Sequence, residues 1–124
     1  MSEIFIVSLG AILGANARFR IHTKFQNNNL RKEFSILVIN TFASFCLGLF
    51  LSLMEQISYF IYSYQIVLFF SIGFLGSFST FSSFVYDLFD FCLQFKFSRA
   101  IRLFIVSSSL GIAAFAFGFL LGNQ

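Results

Sequence analysis

The chain has 124 residues, of which 58% are apolar and only 10% are charged, and its formal net charge is +3. A soluble globular domain carries about 25% charged residues, so this sequence has too few polar side chains to cover a surface in water. With a mean hydropathy of +0.87, the chain is not an ordinary soluble domain. Its composition predicts an all-α integral membrane protein.

Four apolar segments are long enough to cross a bilayer, which takes about 20 residues in a helix. We predict transmembrane helices at about 4–22, 34–54, 60–86 and 101–122, within a single four-helix domain that covers residues 1–124. The first segment is the weakest, because Arg18 and Arg20 interrupt its end. The other three are uncharged over most or all of their length.

Small residues recur at helical spacing in several of these segments. Gly10 and Gly14 form one pair, and Gly118 and Gly122 form another. In membranes such pairs allow close helix packing. The second segment carries a stripe at 40, 44 and 48 that includes Asn40, and an amide in mid-bilayer needs several hydrogen-bonding partners. Asn40 is therefore a candidate for a role beyond packing.

The third segment lies in an uncharged run of 30 residues, 57–86. As an unbroken helix this run would extend about 45 Å, well beyond a hydrocarbon core of about 30 Å. The stretch GSFSTFSSF, 76–84, combines a glycine with five hydroxyl side chains, which can divert backbone hydrogen bonds. We predict a break in mid-membrane here. Such breaks are tolerated where they line a cavity, and their free carbonyls commonly hold a cation.

The basic residues occupy only two regions of the chain. They are Arg18, Arg20, Lys24, Arg31 and Lys32 around the first loop, and Lys96, Arg99 and Arg102 around the third. These two loops lie on the same side of the predicted membrane, and an excess of lysine and arginine marks the cytoplasmic side. We therefore predict that loops one and three are cytoplasmic and that both termini lie outside.

The acidic residues lie at helix ends or in loops: Glu3, Glu33, Glu55, Asp87 and Asp90. A proton-coupled transporter usually needs a carboxylate within the membrane, and no nucleophile–base pair is evident in the sequence. We predict that the chain is not an enzyme. A small multidrug-type transporter remains an alternative, although it would need a glutamate in the middle of the first helix.

Three motifs resemble those of the Fluc (CrcB) fluoride channels. GAILGANAR, LVINTFASFCLG and GFLGSFSTFSSFVYD are similar to the family's patterns on helices one, two and three, in that order. The resemblance implies a multi-pass fluoride-selective channel of the cell membrane, in bacteria the inner or plasma membrane, that lowers cytoplasmic fluoride by passive export. It also implies an antiparallel dimer with two pores and a central structural sodium ion that is not transported.

The resemblance implies roles for eight residues of this chain. The fluoride pathway would contain Phe81, Phe84, Asn40, Thr80 and Ser107, Arg18 would be structural, and the backbone carbonyls of Gly76 and Ser79 would bind sodium. Phe78, close to this group, is expected to serve packing instead.

The chain departs from the family's pattern at a few positions. Ser77 and Ala43 replace family glycines, and Asp87 replaces a glutamate. The family's pore-facing tyrosine of the fourth helix is absent, with Leu103 or Phe104 in its place. The replaced glycines leave open how closely the helices pack in this chain.

The uneven distribution of lysine and arginine between the two sides of the membrane bears on which chain could be the second subunit of the dimer. An antiparallel dimer of identical chains requires each copy to insert in both orientations, whereas this chain has eight basic residues on one side and none on the other. We therefore hypothesise a heterodimer with a homologous subunit of opposite bias. A homodimer and a non-conducting partner subunit remain alternatives.

Overall fold

The computed structural model describes residues 2–29 and 31–124, and nearly all of them lie in helices. In chain order the elements are α1 (Ser2–Asn27), α2 (Lys32–Gln56), α3 (Ser63–Ile66), a π-helical segment (Val67–Leu75), α4 (Gly76–Phe78), α5 (Phe81–Leu93) and α6 (Phe97–Gly122). The predicted all-α class is confirmed.

Four helical stretches are long and apolar enough to cross a membrane: Ser2–Asn27, Lys32–Gln56, Ser63–Leu93 and Phe97–Gly122. The predicted number of long apolar helices is confirmed. The helices are longer than the sequence predicts. Most of the additional residues lie at the end that carries the lysines and arginines, where α1 continues to Asn27 and α6 already begins at Phe97. Lysine and arginine are good helix formers whose charged groups can reach the headgroup region, so the helices continue beyond the apolar segments.

The four spans alternate in direction along the chain. As a result α2 and α6 run parallel, and so do α1 and the third span, and these are the two most extensive helix pairings. The first and third loops lie together at one end of the bundle. We call this the basic end, because all eight lysines and arginines are in or near these two loops.

Glycines allow both parallel pairs to pack closely. A side chain at Gly10 would collide with the carbonyl oxygen of Phe69, on the π-helical segment. Between α2 and α6, a side chain at Gly118 would collide with the carbonyl oxygen of Phe45, and Gly48 lies equally close to α6. The small-residue packing expected from the sequence is therefore confirmed.

The core lies between α2 and the third span. It consists of the buried residues Ile39, Ala43, Leu75 and Phe78. The ring of Phe78 stacks on Phe74, with 5.8 Å between ring centroids, and is only 3% exposed. Phe78 therefore serves packing, as expected.

The third span is bent near its middle, where its helical geometry is interrupted. Helical geometry ends at Phe78, and Ser79 and Thr80 are extended, with φ and ψ of −73° and 158° and of −142° and 106°. The helix resumes at Phe81, where the Thr80 hydroxyl accepts a hydrogen bond of 3.3 Å from the Ser83 amide. A threonine in this position provides one of the partners that the first turn of a helix lacks.

The Asn40 side chain completes the hydrogen bonding of the break. Its Nδ2 donates to the Thr80 carbonyl at 3.0 Å, and its Oδ1 accepts from the Thr80 amide at 2.8 Å. One side chain therefore satisfies both backbone polar groups of Thr80, a residue that has left the helix. Without it, two backbone groups in a largely apolar interior would lack partners.

We expect Asn40→Ala to destabilise the chain by about 1–3 kcal/mol, because the Thr80 amide and carbonyl would be left unpaired. The measurement is the free energy of unfolding of the purified protein in mixed detergent micelles, followed by circular dichroism.

Thr41→Val is the matched control on the next residue of α2. The Thr41 hydroxyl is buried and has no hydrogen-bond partner, so its loss should be neutral or slightly stabilising. Equal destabilisation by the two substitutions would contradict this account of the break.

Candidate functional site

The break lies beside a cavity of about 200 Å³ lined by side chains of α1, α2 and α5. Thr80 and Ser83 form the hydroxyl-bearing part of its wall, and Arg18, His22 and Lys32 form the basic part. We call it the arginine cavity, after Arg18. A small anion here would meet positive charge at one side and hydroxyl groups at the other.

The polar groups around the arginine cavity are held by further contacts. His22 Nδ1 lies 2.9 Å from the Ser35 hydroxyl, and its Nε2 lies 3.1 Å from Gln26 Nε2. Asp87, on α5 one turn beyond Ser83, is 7% exposed, and its Oδ2 has no hydrogen-bond partner among the described residues. A buried carboxylate oxygen without a partner is costly and makes Asp87 a functional candidate that sequence reasoning noted only as a replaced glutamate.

A second cavity, of about 160 Å³, lies where the break faces α2. Gly76 and Ser79 line it together with Ser44 and Ser71. Ser44 also lines a third cavity of about 490 Å³ between α2 and α6, which contains Ser107, Ser108 and Gly111. Ser44 therefore connects the two cavities, so that a series of small and hydroxyl-bearing residues extends from the break to α6. Sequence reasoning gave Ser44 no role, although its spacing from Asn40 places both on one stripe.

The two phenylalanines singled out from the sequence lie next to each other. The ring centroids of Phe81 and Phe84 are 6.2 Å apart, and those of Phe84 and Phe104 are 6.4 Å apart. Phe104 rather than Leu103 therefore stands beside the phenylalanine pair. Phe81 is 77% exposed, so its ring projects away from the chain.

The eight predicted residues are only partly brought together. Asn40 and Thr80 are directly hydrogen-bonded, Phe81 and Phe84 are neighbours, Gly76 and Ser79 share one cavity, and Arg18 shares another with Thr80. Ser107 lines the separate cavity between α2 and α6. Within a single chain these groups form adjoining surfaces rather than one closed path.

The two replaced glycines are accommodated in different ways. The Ser77 hydroxyl lies 2.9 Å from the carbonyl oxygens of Ala11 and Gly73, and it occupies space that Gly14 leaves free. It therefore links the third span to α1 instead of loosening their contact. Ala43 is 5% exposed and forms part of the core, so both changes are compatible with close packing.

Apart from the basic wall of the arginine cavity, the groups available at the break are weak, uncharged ligands. Hydroxyl groups, one amide side chain, aromatic ring edges and backbone carbonyls surround it, and the described residues contain no group of three or more histidine, cysteine or acidic side chains that could hold a metal ion. Donors of this kind can bind a small ion without holding it tightly, which is what conduction requires.

Comparison with the sequences of known proteins places this chain in a family. A family model described as "CrcB-like protein, Camphor Resistance (CrcB)" matches residues 5–119. The fluoride-specific ion channel FluC 2 of Prochlorococcus marinus (strain NATL2A) is 69% identical over 124 residues, covering 100% of both chains. FluC 1 of Parasynechococcus marenigrum (strain WH8102) is 37% identical over 120 residues, covering 97% of this chain and 93% of its own.

A third relative is also similar over the whole of this chain. The fluoride-specific ion channel FluC of Parabacteroides distasonis is 30% identical over 125 aligned positions, which cover 100% of this chain and 95% of that one. The similarity thus includes all four spans and the break. The chain belongs to the CrcB-like family of membrane proteins.

Proposed function

We propose that this chain is a subunit of a fluoride-selective ion channel that lowers cytoplasmic fluoride by passive export. The observation that carries the proposal is the 69% identity, over the whole chain, to a protein named as a fluoride-specific ion channel. The interruption of the third span, where Asn40 is hydrogen-bonded to the Thr80 backbone, gives this function a physical basis.

The orientation of the Asn40 amide supports a role in binding the ion. Thr80 N–H can only donate and Thr80 C=O can only accept, so these two partners determine which end of the amide is oxygen and which is nitrogen. An amide nitrogen carries two hydrogens, and Thr80 uses one. The second N–H is thereby held in a defined direction as a donor for a passing fluoride.

The remaining pathway residues supply further weak donors. The edges of the Phe81 and Phe84 rings carry partial positive charge, and the hydroxyl groups of Thr80 and Ser107 can turn toward an anion. Arg18 in the arginine cavity would attract the ion toward the break while serving its structural role at the end of α1. Each contact replaces part of the ion's hydration without binding it permanently.

The first test is fluoride efflux from liposomes that contain the purified chain, followed with a fluoride electrode. We expect rapid efflux that excludes chloride, and a decrease of at least about tenfold in Phe81→Ile, which corresponds to about 1.4 kcal/mol in the barrier.

Phe5→Ile is the matched control, because Phe5 is also an exposed phenylalanine, at 65%, but lies on α1 away from the break. Equal efflux in wild type and Phe81→Ile would contradict the proposed pathway. If the folded chain is inactive both alone and with a homologous subunit, the channel proposal is wrong and a non-conducting role is left.

The exposed surface around the break supports an antiparallel dimer. Gly76, Phe81 and Ser82 are exposed in the middle of the third span. The carbonyl groups of the helical turn that ends at Phe78 lack amide partners, and such groups cannot face lipid. A second chain that covers this face would shield the break and enclose the adjoining surfaces described above.

The uneven distribution of the basic residues supports a heterodimer. In it, the partner is a different but homologous chain that is inserted in the opposite orientation. The grouping of basic residues at one end of the bundle favours a single orientation for every copy. Two copies inserted in the same direction could not form an antiparallel pair. A homologue with its lysines and arginines at the other end would satisfy both requirements.

A topology tag at Gln124 tests this heterodimer. When the chain is expressed alone, we expect labelling on the outer face only, since eight basic residues hold loops one and three in the cytoplasm. Substituting Arg20 and Lys24 with glutamine should leave this orientation unchanged, because six basic residues remain. Equal labelling of the tag on both faces would show dual insertion and would support a homodimer.

The backbone at the break fits a structural sodium ion. Helical geometry ends at Phe78, and the carbonyls that terminate a helix lack amide partners and attract cations. Gly76 and Ser79 line one small cavity, and carbonyl oxygens are suitable ligands for hard cations. Two carbonyls are too few for one ion, so the same two residues of a partner subunit would complete the site.

Replacing sodium with N-methylglucamine should lower the stability of the purified dimer by about 2–3 kcal/mol if sodium is present at about a hundred times its dissociation constant. The measurement is the thermal unfolding midpoint in each buffer. Ser79→Ala should retain this sodium dependence, because it keeps the carbonyl and removes only the hydroxyl. Unchanged stability without sodium would contradict the site, and loss of the dependence in Ser79→Ala would instead assign the ligand to the hydroxyl.

A further inference from the structure

We propose that a cavity at the basic end, between α2, α5 and α6, binds the phosphate headgroup of an anionic phospholipid. The cavity has a volume of about 310 Å³. Its polar wall contains Arg31, Arg99 and Arg102 together with Glu33, and apolar side chains form the rest. We call it the headgroup cavity. It contains none of the residues of the proposed ion pathway.

The charge of the headgroup cavity favours an anion with several oxygens. Three guanidinium groups face one carboxylate, which leaves two positive charges in excess. Within residues 2–29 and 31–124, no carboxylate lies within 4.0 Å of these guanidinium groups. The planar donor fork of arginine matches the paired oxygens of a phosphate, whereas a single-atom ion can use only one or two of its donors at a time.

One of the arginines is already oriented by packing. The guanidinium of Arg99 lies over the ring of Phe91, with 5.2 Å from its central carbon to the ring centroid. This cation–π contact restrains the side chain while leaving the N–H groups at its edge free. Less conformational entropy is then lost when the arginine binds an anion.

Two helix N-termini add to the positive potential. The parallel helices α2 and α6 both begin at this end, at Lys32 and Phe97, and neither has a side chain that caps its first amides. The N-terminus of a long helix carries a partial positive charge and free N–H groups, which favour phosphate. Parallel packing brings these two ends into the same region as the arginines.

The apolar wall selects a lipid rather than a free phosphate. It continues along α6 through Leu103 to Val106, about 10 Å beyond Arg99 at the rise of an α-helix, with Phe34 opposite on α2. Phe34 and Val106 are 48% and 38% exposed, so this wall is open to the bilayer. A headgroup between the arginines would therefore have its acyl chain along an apolar surface. Basic cavities between transmembrane helices on the cytoplasmic side are suited to anionic headgroups.

The test measures which lipid remains bound to the purified full-length protein by native mass spectrometry, after incubation with equal amounts of phosphatidylglycerol and phosphatidylcholine. We expect preferential retention of phosphatidylglycerol. Arg102→Gln should decrease this preference by at least about tenfold, which corresponds to about 1.4 kcal/mol. Arg102 is chosen because Arg99 also packs on Phe91.

Arg20→Gln is the matched control, because Arg20 is an exposed arginine at the same end that does not line the headgroup cavity. An equal loss of preference in both variants would overturn the proposal in favour of a general charge effect, and so would an unchanged preference in Arg102→Gln. Circular dichroism before the measurement establishes that each variant is folded. The readout is a ratio of two lipids on the same folded protein, so a uniform change in stability does not affect it.

A competition experiment distinguishes a lipid from a free phosphate. An excess of soluble glycerol phosphate should displace little phosphatidylglycerol, because it cannot use the apolar wall formed by Phe34, Leu103 and Val106. Displacement at comparable concentrations would show that the cavity recognises phosphate alone and would overturn the lipid assignment. This result is independent of fluoride transport, so the two proposals can fail separately.

Discussion

The pairing of Asn40 with Thr80 is the interaction on which the arrangement of this chain depends. A helix can be interrupted inside a membrane only if the released peptide groups find other partners. Here a single amide side chain provides both a donor and an acceptor for Thr80, at 3.0 and 2.8 Å. The Thr80 hydroxyl then caps the helix that follows. The break is therefore a hydrogen-bonded structural element in which neighbouring carbonyls and side chains have defined directions.

The position of this break is held by packing on both sides. On one side, α1 approaches the π-helical segment at Gly10 and Gly14, and the Ser77 hydroxyl fills the space beside Gly14. On the other side, α2 carries Asn40 and is itself held against α6 at Gly48 and Gly118. Rotation of α2 would move Asn40 away from Thr80, so the α2–α6 contact positions the break indirectly. This explains how small residues far from the proposed pathway contribute to its geometry.

The two ends of the bundle differ chemically, and this difference connects orientation with the lipid environment. The basic end contains every lysine and arginine, the N-termini of α2 and α6, and the headgroup cavity. The opposite end has Tyr59, Phe60 and Ile61 exposed in an uncharged loop, and aromatic residues prefer the membrane interface. The charge that is predicted to orient the chain during insertion is thus also the charge that would make the proposed contact with anionic lipid.

The sequence by itself determined the four long apolar helices, the region where the third one bends and the glycine pairs, because these depend on hydropathy over about 20 residues and on spacing within one helix. Only the tertiary structure decided which residues of different helices meet. It paired Asn40 with the backbone of Thr80, 40 residues away, placed Phe104 rather than Leu103 beside Phe84, and brought Arg31 to Arg99 and Arg102. Such contacts depend on the rotation of each helix about its axis and on its depth relative to its neighbours, which the pattern within a single segment does not contain.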